Sequence, residues 1–217
     1  MEFLIKDLKL QLRPKGYLFP SLLFCVLMHV GYRFSLPQDY IATTESVSLF
    51  WLIHTIGFTF LLFSSLEWEY EWDAHQMIKV SKINPLTIFA SKSTSLFIIN
   101  FVLLPGSFFP WALYFWPHTS ADTPFYWLLT VFILFSANLT ITGFISAAIA
   151  VQSAHRQVLQ NLIYFPLLIP NFIAASAFTR NLFQKGQAAM GELFLLAAVL
   201  VFYLALSLVL IPILWED

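Results

Sequence analysis

Residues 125–151 read FYWLLTVFILFSANLTITGFISAAIAV, a stretch without a single Asp, Glu, Lys or Arg. An α-helix rises about 1.5 Å per residue, so roughly 20 apolar residues cross a hydrocarbon core about 30 Å thick. This segment is long enough to do so. Working outward from it, five further runs of the same kind appear: Tyr17–Phe34, Val47–Leu66, Ser93–Trp116, Val158–Phe178 and Met190–Leu214. The pattern predicts an all-α integral membrane protein with six transmembrane helices. Composition agrees, because 59% of the 217 residues are hydrophobic and 11% charged, against about half and about a quarter in soluble domains. No Gly/Ser/Pro-rich linker divides the runs, so residues 1–217 are expected to form one membrane domain.

Six crossings place both termini on one side, and lysine and arginine placement chooses which. With the N-terminus cytoplasmic, the inner segments hold Lys6, Lys9, Arg13, Lys15, Lys79, Lys82, Lys92 and Arg156, and the outer ones only Arg33, Arg180 and Lys185. N-in, C-in is therefore expected. No small-x-small cleavage site follows the first run, which reads as an uncleaved anchor. Trp51, Trp111, Trp116 and Trp127 fall near the outer boundary, and Trp68, Trp72 and Trp215 near the inner one, as interfacial belts would.

Two segments lie outside the spans. In residues 1–15, Met1, Leu4, Ile5, Leu8 and Leu12 share one helical face beside Lys6, Lys9 and Arg13. That arrangement describes a helix lying in the bilayer interface, with Pro14 and Gly16 turning the chain into the first span. Residues 67–84 begin Glu67-Trp68-Glu69-Tyr70-Glu71-Trp72-Asp73 and end at Asn84, before Pro85. Acidic residues contribute little to orientation, so this cluster has another purpose. Written as a helix, Trp68 and Trp72 stack at i, i+4, and Met77, Val80 and Ile83 follow at helical spacing, with Glu67, Glu71, Asp73 and Lys79 around them. Such a segment reads either as a docking surface for a soluble partner or as a loop with its tryptophans in the headgroups.

Pro166 and Pro170 stand one turn apart in the fifth run, and Pro105 and Pro110 lie towards the outer end of the third; a kink or break is expected at each pair. Gly143, Ser146, Ala147 and Ala150, and separately Ala174, Ala175 and Ala177, offer small faces for close packing within one chain or between two.

Motifs for chemistry are missing. The nearest string to a phosphate-binding loop, Gly186 to Gly191, continues with Glu192 where a lysine is required. There is neither a His-Glu-x-x-His zinc motif nor a Gly-x-Ser-x-Gly elbow. The single cysteine, Cys25, has no partner for an intramolecular disulfide, and a net charge of −1 gives no sign of nucleic-acid binding. Two histidines lie inside spans, His29 in the first and His54 in the second. Imidazole ligates haem or a metal; a membrane histidine also commonly bonds a neighbouring helix.

The order of features resembles a known family. Leu66-Glu67 at the inner end of the second span, Pro85 followed by Ala90-Ser91-Lys92, Gly143 with the small residues after it, and Phe165-Pro166 with Ile169-Pro170 together resemble the haem exporter protein B (CcmB) family. The resemblance implies an ABC-2 type permease of the cytochrome c maturation system, in a bacterial inner membrane. It implies two copies paired with two copies of a separate ATP-binding cassette subunit that holds ATP and Mg²⁺, with residues 67–84 as the coupling helix. It also implies neighbouring haem-handling membrane proteins, haem as cargo rather than cofactor, and no catalytic centre. A generic ABC-2 permease for lipid or another small molecule, and a scaffold without transport, share much of this pattern.

Overall fold

The computed structural model describes residues 5, 6, 8, 9, 12, 18–36, 43–71, 84–115, 125–150, 153, 155–186 and 188–216, with side chains described except at 43, 44, 64–71, 157, 185 and 213–216. Six helices follow one another: α1 (Leu18–Ser35), α2 (Thr43–Glu71), α3 (Pro85–Phe115), α4 (Phe125–Ala150), α5 (Arg156–Lys185) and α6 (Met190–Glu216). All six are long and apolar enough to cross a membrane, and no strand occurs among the described residues. The protein is an all-α, multi-pass membrane protein.

Local chemistry, more than apolarity, sets the helix ends. At the start of α3 the Asn84 side chain accepts the Leu86 N–H at 2.9 Å, and its carbonyl accepts that of Thr87 at 2.9 Å. Pro85 occupies the first helical position, where a missing N–H costs nothing. The helix therefore begins well before the apolar run at Ser93. α5 likewise continues past Phe178 until Gly186, whose φ of 64° lets its N–H close on the Leu182 carbonyl at 3.0 Å. Arg180 consequently belongs to the helix and not to a loop.

The expected break in the fifth span does not occur. α5 runs without interruption through Pro166 and Pro170, as α3 does through Pro105 and Pro110. Each proline removes one donor, a loss that neighbouring helices and the rest of the ladder accommodate in a membrane.

α2 and α4 form the interior, with 67% and 72% of their spans buried, while α1 and α6 lie outermost at 22% each. α4 packs on α5 and α6, and α2 on α1, α3 and α5. α3 touches both groups. Leu62 of α2 rests on Gly143 of α4, and Ser146, Ala147, Ala150, Ala174 and Ala175 are buried within this one chain. Those small faces serve the monomer's own crossings. Phe19, Leu23 and Leu27 of α1, Leu162, Ile169 and Ile173 of α5, and Val201, Phe202 and Leu208 of α6 are exposed, as lipid-facing side chains are.

Two of the tryptophans assigned to the outer belt lie in the core. Trp51 and Trp111 are buried; the Trp51 indole donates to Thr179 Oγ1 and the Trp111 indole to the Ser46 carbonyl, each at 3.1 Å. Phe132 and Phe135 pack around Trp51 at 5.1 and 4.5 Å between ring centres. Of the segment 1–15, residues 5, 6, 8 and 9 are helical. The Leu12 N–H reaches the Leu8 carbonyl at 3.0 Å, and Leu8 packs on the core while Ile5 and Leu12 are exposed.

Candidate functional site: a buried histidine pair

The buried positions of α1 are Ser21, Cys25 and His29. They recur every four residues, so they share one face, and that face is polar in a helix whose other residues up to Val30 are apolar. The face is turned toward α2 and α3, the neighbours of α1. On α2, Phe50 and His54 are also four apart, with their rings stacked at 6.2 Å and 14°. Phe50 reaches across to His29 as well, at 6.0 Å. From α3, Ser107 meets His54 Nδ1 at 2.9 Å, and the Asn100 amide lies beside the same imidazole. His29, His54, Asn100 and Ser107 are all fully buried, at 0% exposure.

The hydrogen bonds decide where the imidazole protons are. His29 Nδ1 lies 2.7 Å from the Cys25 carbonyl; a carbonyl only accepts, so Nδ1 carries the proton. The Ser107 hydroxyl donates to the Leu104 carbonyl at 3.0 Å. His29 therefore presents a bare lone pair at Nε2; with the Ser107 hydrogen on the Leu104 carbonyl, that hydroxyl accepts from His54 Nδ1 and the second ring does the same. Among the described residues no hydrogen bond of good geometry reaches either Nε2, Ser21 Oγ or the two ends of the Asn100 amide.

A buried polar group left unpaired costs about 1–3 kcal/mol, and several stand together here in a fold whose net stability is on the order of 5–15 kcal/mol. Apolar residues of the same size would pack the three helices at no such cost. The chemistry on offer is Lewis basicity: two neutral imidazoles, each held in one tautomer by its second nitrogen, as metal-ligating histidines are. No group of three or more His, Cys, Asp or Glu gathers among the described residues, so these side chains do not enclose a bare ion.

The other candidate residues are placed separately. Glu67, Trp68 and Glu71 belong to the last turns of α2; Trp72, Asp73, Met77 and Lys79 lie outside the described residues. Pro166 is exposed on α5 and Pro170 partly so, both remote in sequence from α1–α3. Sequence reading singled out His29 and His54 but passed over Ser21, Asn100 and Ser107. The Asn100 signal was available: an asparagine inside an otherwise apolar run, which a bilayer tolerates only when it faces protein.

Residues 1–213 match the family described as CcmB protein. The chain belongs to the CcmB family. Comparison with curated proteins and with solved structures gives no match. Membership makes the chain a permease subunit, the membrane component of the haem and cytochrome c maturation ABC transporter. ATP binding belongs to a separate partner of that transporter.

Proposed function

We propose that this CcmB chain couples ATP hydrolysis by its partner to the movement or release of haem, or of a haem-loaded chaperone, and that residues 67–84 are the docking element. The observation that supports this reading is the length of α2. Its 29 residues extend about 44 Å at 1.5 Å per residue, against a hydrocarbon core of about 30 Å. The last turns, with Glu67, Trp68 and Glu71, therefore stand clear of the lipid. Asn84 then caps α3 and sends the chain back. Between those two points the sequence supplies Trp72, Asp73, Met77 and Lys79, an aromatic and charged set suited to a protein surface.

In this reading the docking side is the cytoplasmic one, both termini lie there, and the membrane is the bacterial inner membrane. Two copies of the chain pair with two ATP-binding subunits that hold ATP and Mg²⁺, next to a haem-handling membrane protein. Pro166 and Pro170 leave the carbonyls of Leu162 and Pro166 without helical donors, which makes that turn of α5 the softest part of the span and a natural point for gating between states.

The test combines Glu67→Lys with Trp72→Ala in the assembled complex. Loss of copurifying ATP-binding subunit, or ATPase activity no longer responsive to the permease, is expected. Unchanged copurification and ATPase activity would sink the docking assignment. Deletion of the chain should abolish holocytochrome c; normal c-type haem staining would instead favour a permease for lipid or another small molecule.

A further inference from the structure

We propose that the interface of α1 with α2 and α3 opens to take an iron porphyrin, and that the Nε2 atoms of His29 and His54 are the axial ligands of its iron. Three observations lead there. The Cys25 carbonyl holds His29 as the Nδ1–H tautomer, and the Ser107 hydroxyl, with its hydrogen on Leu104, holds His54 the same way, so that among the described residues two buried Nε2 atoms lack a hydrogen-bond partner. A cationic Lewis acid satisfies such lone pairs better than any neutral donor.

The second observation selects the kind of Lewis acid. No third His, Cys, Asp or Glu joins them among the described residues. A free ion such as Zn²⁺ takes three or four protein ligands, whereas a porphyrin iron arrives with four nitrogens of its own and asks only for one or two axial donors. The Phe50 ring, in contact with both imidazoles, supplies the flat apolar surface that a macrocycle needs.

The third observation concerns access. The pair is sealed, so a porphyrin enters only when a helix moves, and α1 is the helix fitted to move. It is outermost and packs on α2 and α3. Among the described hydrogen bonds of its buried side chains, one crosses to another helix, from the Cys25 thiol to the Ile53 carbonyl at 3.9 Å; the rest of its contact is ring and side-chain packing. Beside that thiol lies Gly57 of α2, where a Cβ would stand 2.5 Å from Cys25 Sγ. The close approach supplies a lock: Gly57→Cys places a second thiol against the first.

This inference deepens the haem-handling reading, but its test uses no ATP. The full chain in lipid nanodiscs is titrated with ferrous haem and, separately, with Co²⁺. The wild type should give the sharp spectrum of six-coordinate, low-spin bis-imidazole haem and no protein-bound cobalt bands. His29→Ala or His54→Ala should convert it to a five-coordinate form, the double variant should lose it, and His155→Ala, at an exposed site, should leave it intact. Gly57→Cys should fail to bind haem after mild oxidation and recover on reduction. A wild-type spectrum no different from haem in empty nanodiscs overturns the proposal, whatever the variants do. So does a low-spin spectrum surviving in the double variant, equal binding by the oxidised lock, or binding of Co²⁺ in place of haem. Haem binding with an uncoupled ATPase leaves this site standing while the docking assignment falls. Coupling without binding does the reverse.

Discussion

The two outermost helices, α1 and α6, bury the same small share of themselves, 22% of each span, yet they are attached to the bundle in opposite ways. α6 turns Leu196, Tyr203, Ser207 and Ile211 inward. Its attachment is completed by polar bonds: Asn138 of α4 donates to the Leu196 carbonyl at 3.1 Å, and the Tyr203 hydroxyl donates to the Leu167 carbonyl of α5 at 2.7 Å. Its mean hydropathy is 2.9, against 1.3 for α1. α1 turns Ser21, Cys25 and His29 inward, with Ser21 Oγ and His29 Nε2 unpaired. Inside a bilayer no hydrophobic force drives helix against helix, so packing and hydrogen bonds hold them. α6 is thus tied by two strong polar bonds, whereas α1 is held by packing and the weak thiol bond of Cys25.

Three substitutions test the contrast. The largest effect is expected for Leu196→Ala, which empties a fully buried site on α6 and should cost about 2–5 kcal/mol, read as a lower unfolding midpoint in detergent titrations. A loss under about 1 kcal/mol would show α6 to be as loosely held as α1. Next comes His29→Leu, which replaces an imidazole with one unpaired nitrogen by an apolar group of similar size. Here stability should rise, by about 1 kcal/mol, while holocytochrome c formation falls; a less stable variant would mean that the imidazole is a structural tie. Smallest is Tyr203→Phe, which removes one interhelical bond of a kind worth about 0.6 kcal/mol on average in a membrane. No change in unfolding midpoint there would remove the polar half of the distinction.

Much of this architecture was legible beforehand because hydropathy over a span is a sum of many residues and tolerates local error. The ends were not, since a single contact sets them: Asn84 capping α3, Gly186 closing α5. Facing is the property that composition leaves open. Trp51 and Trp111 near a span end read as headgroup anchors, but the direction of each depends on helix rotation, and Thr179 and Ser46 claim their indoles from inside. Pro166 and Pro170 carry a real backbone loss, yet whether a helix breaks depends on the neighbours that hold it. For the histidines the sequence offered residue type and depth. The orientation of the rings, with His29 Nδ1 on the Cys25 carbonyl and His54 Nδ1 on the Ser107 hydroxyl, depends on contacts between and along helices that residue type does not reveal.

α2 carries both His54 and, farther along, the turns that bear Glu67 and Glu71, in one helix from Thr43 to Glu71. His54 and Glu67 are separated by about 20 Å of continuous hydrogen-bonded backbone, with no proline between them. A rod of that kind is stiff along its axis, so a torque delivered at its wet end reaches the imidazole with little lag or loss. On the proposed assignments this single strut connects the ATP-driven partner to the haem site, and a flexible insertion placed between residues 54 and 67 is expected to let ATP hydrolysis run without moving the cargo.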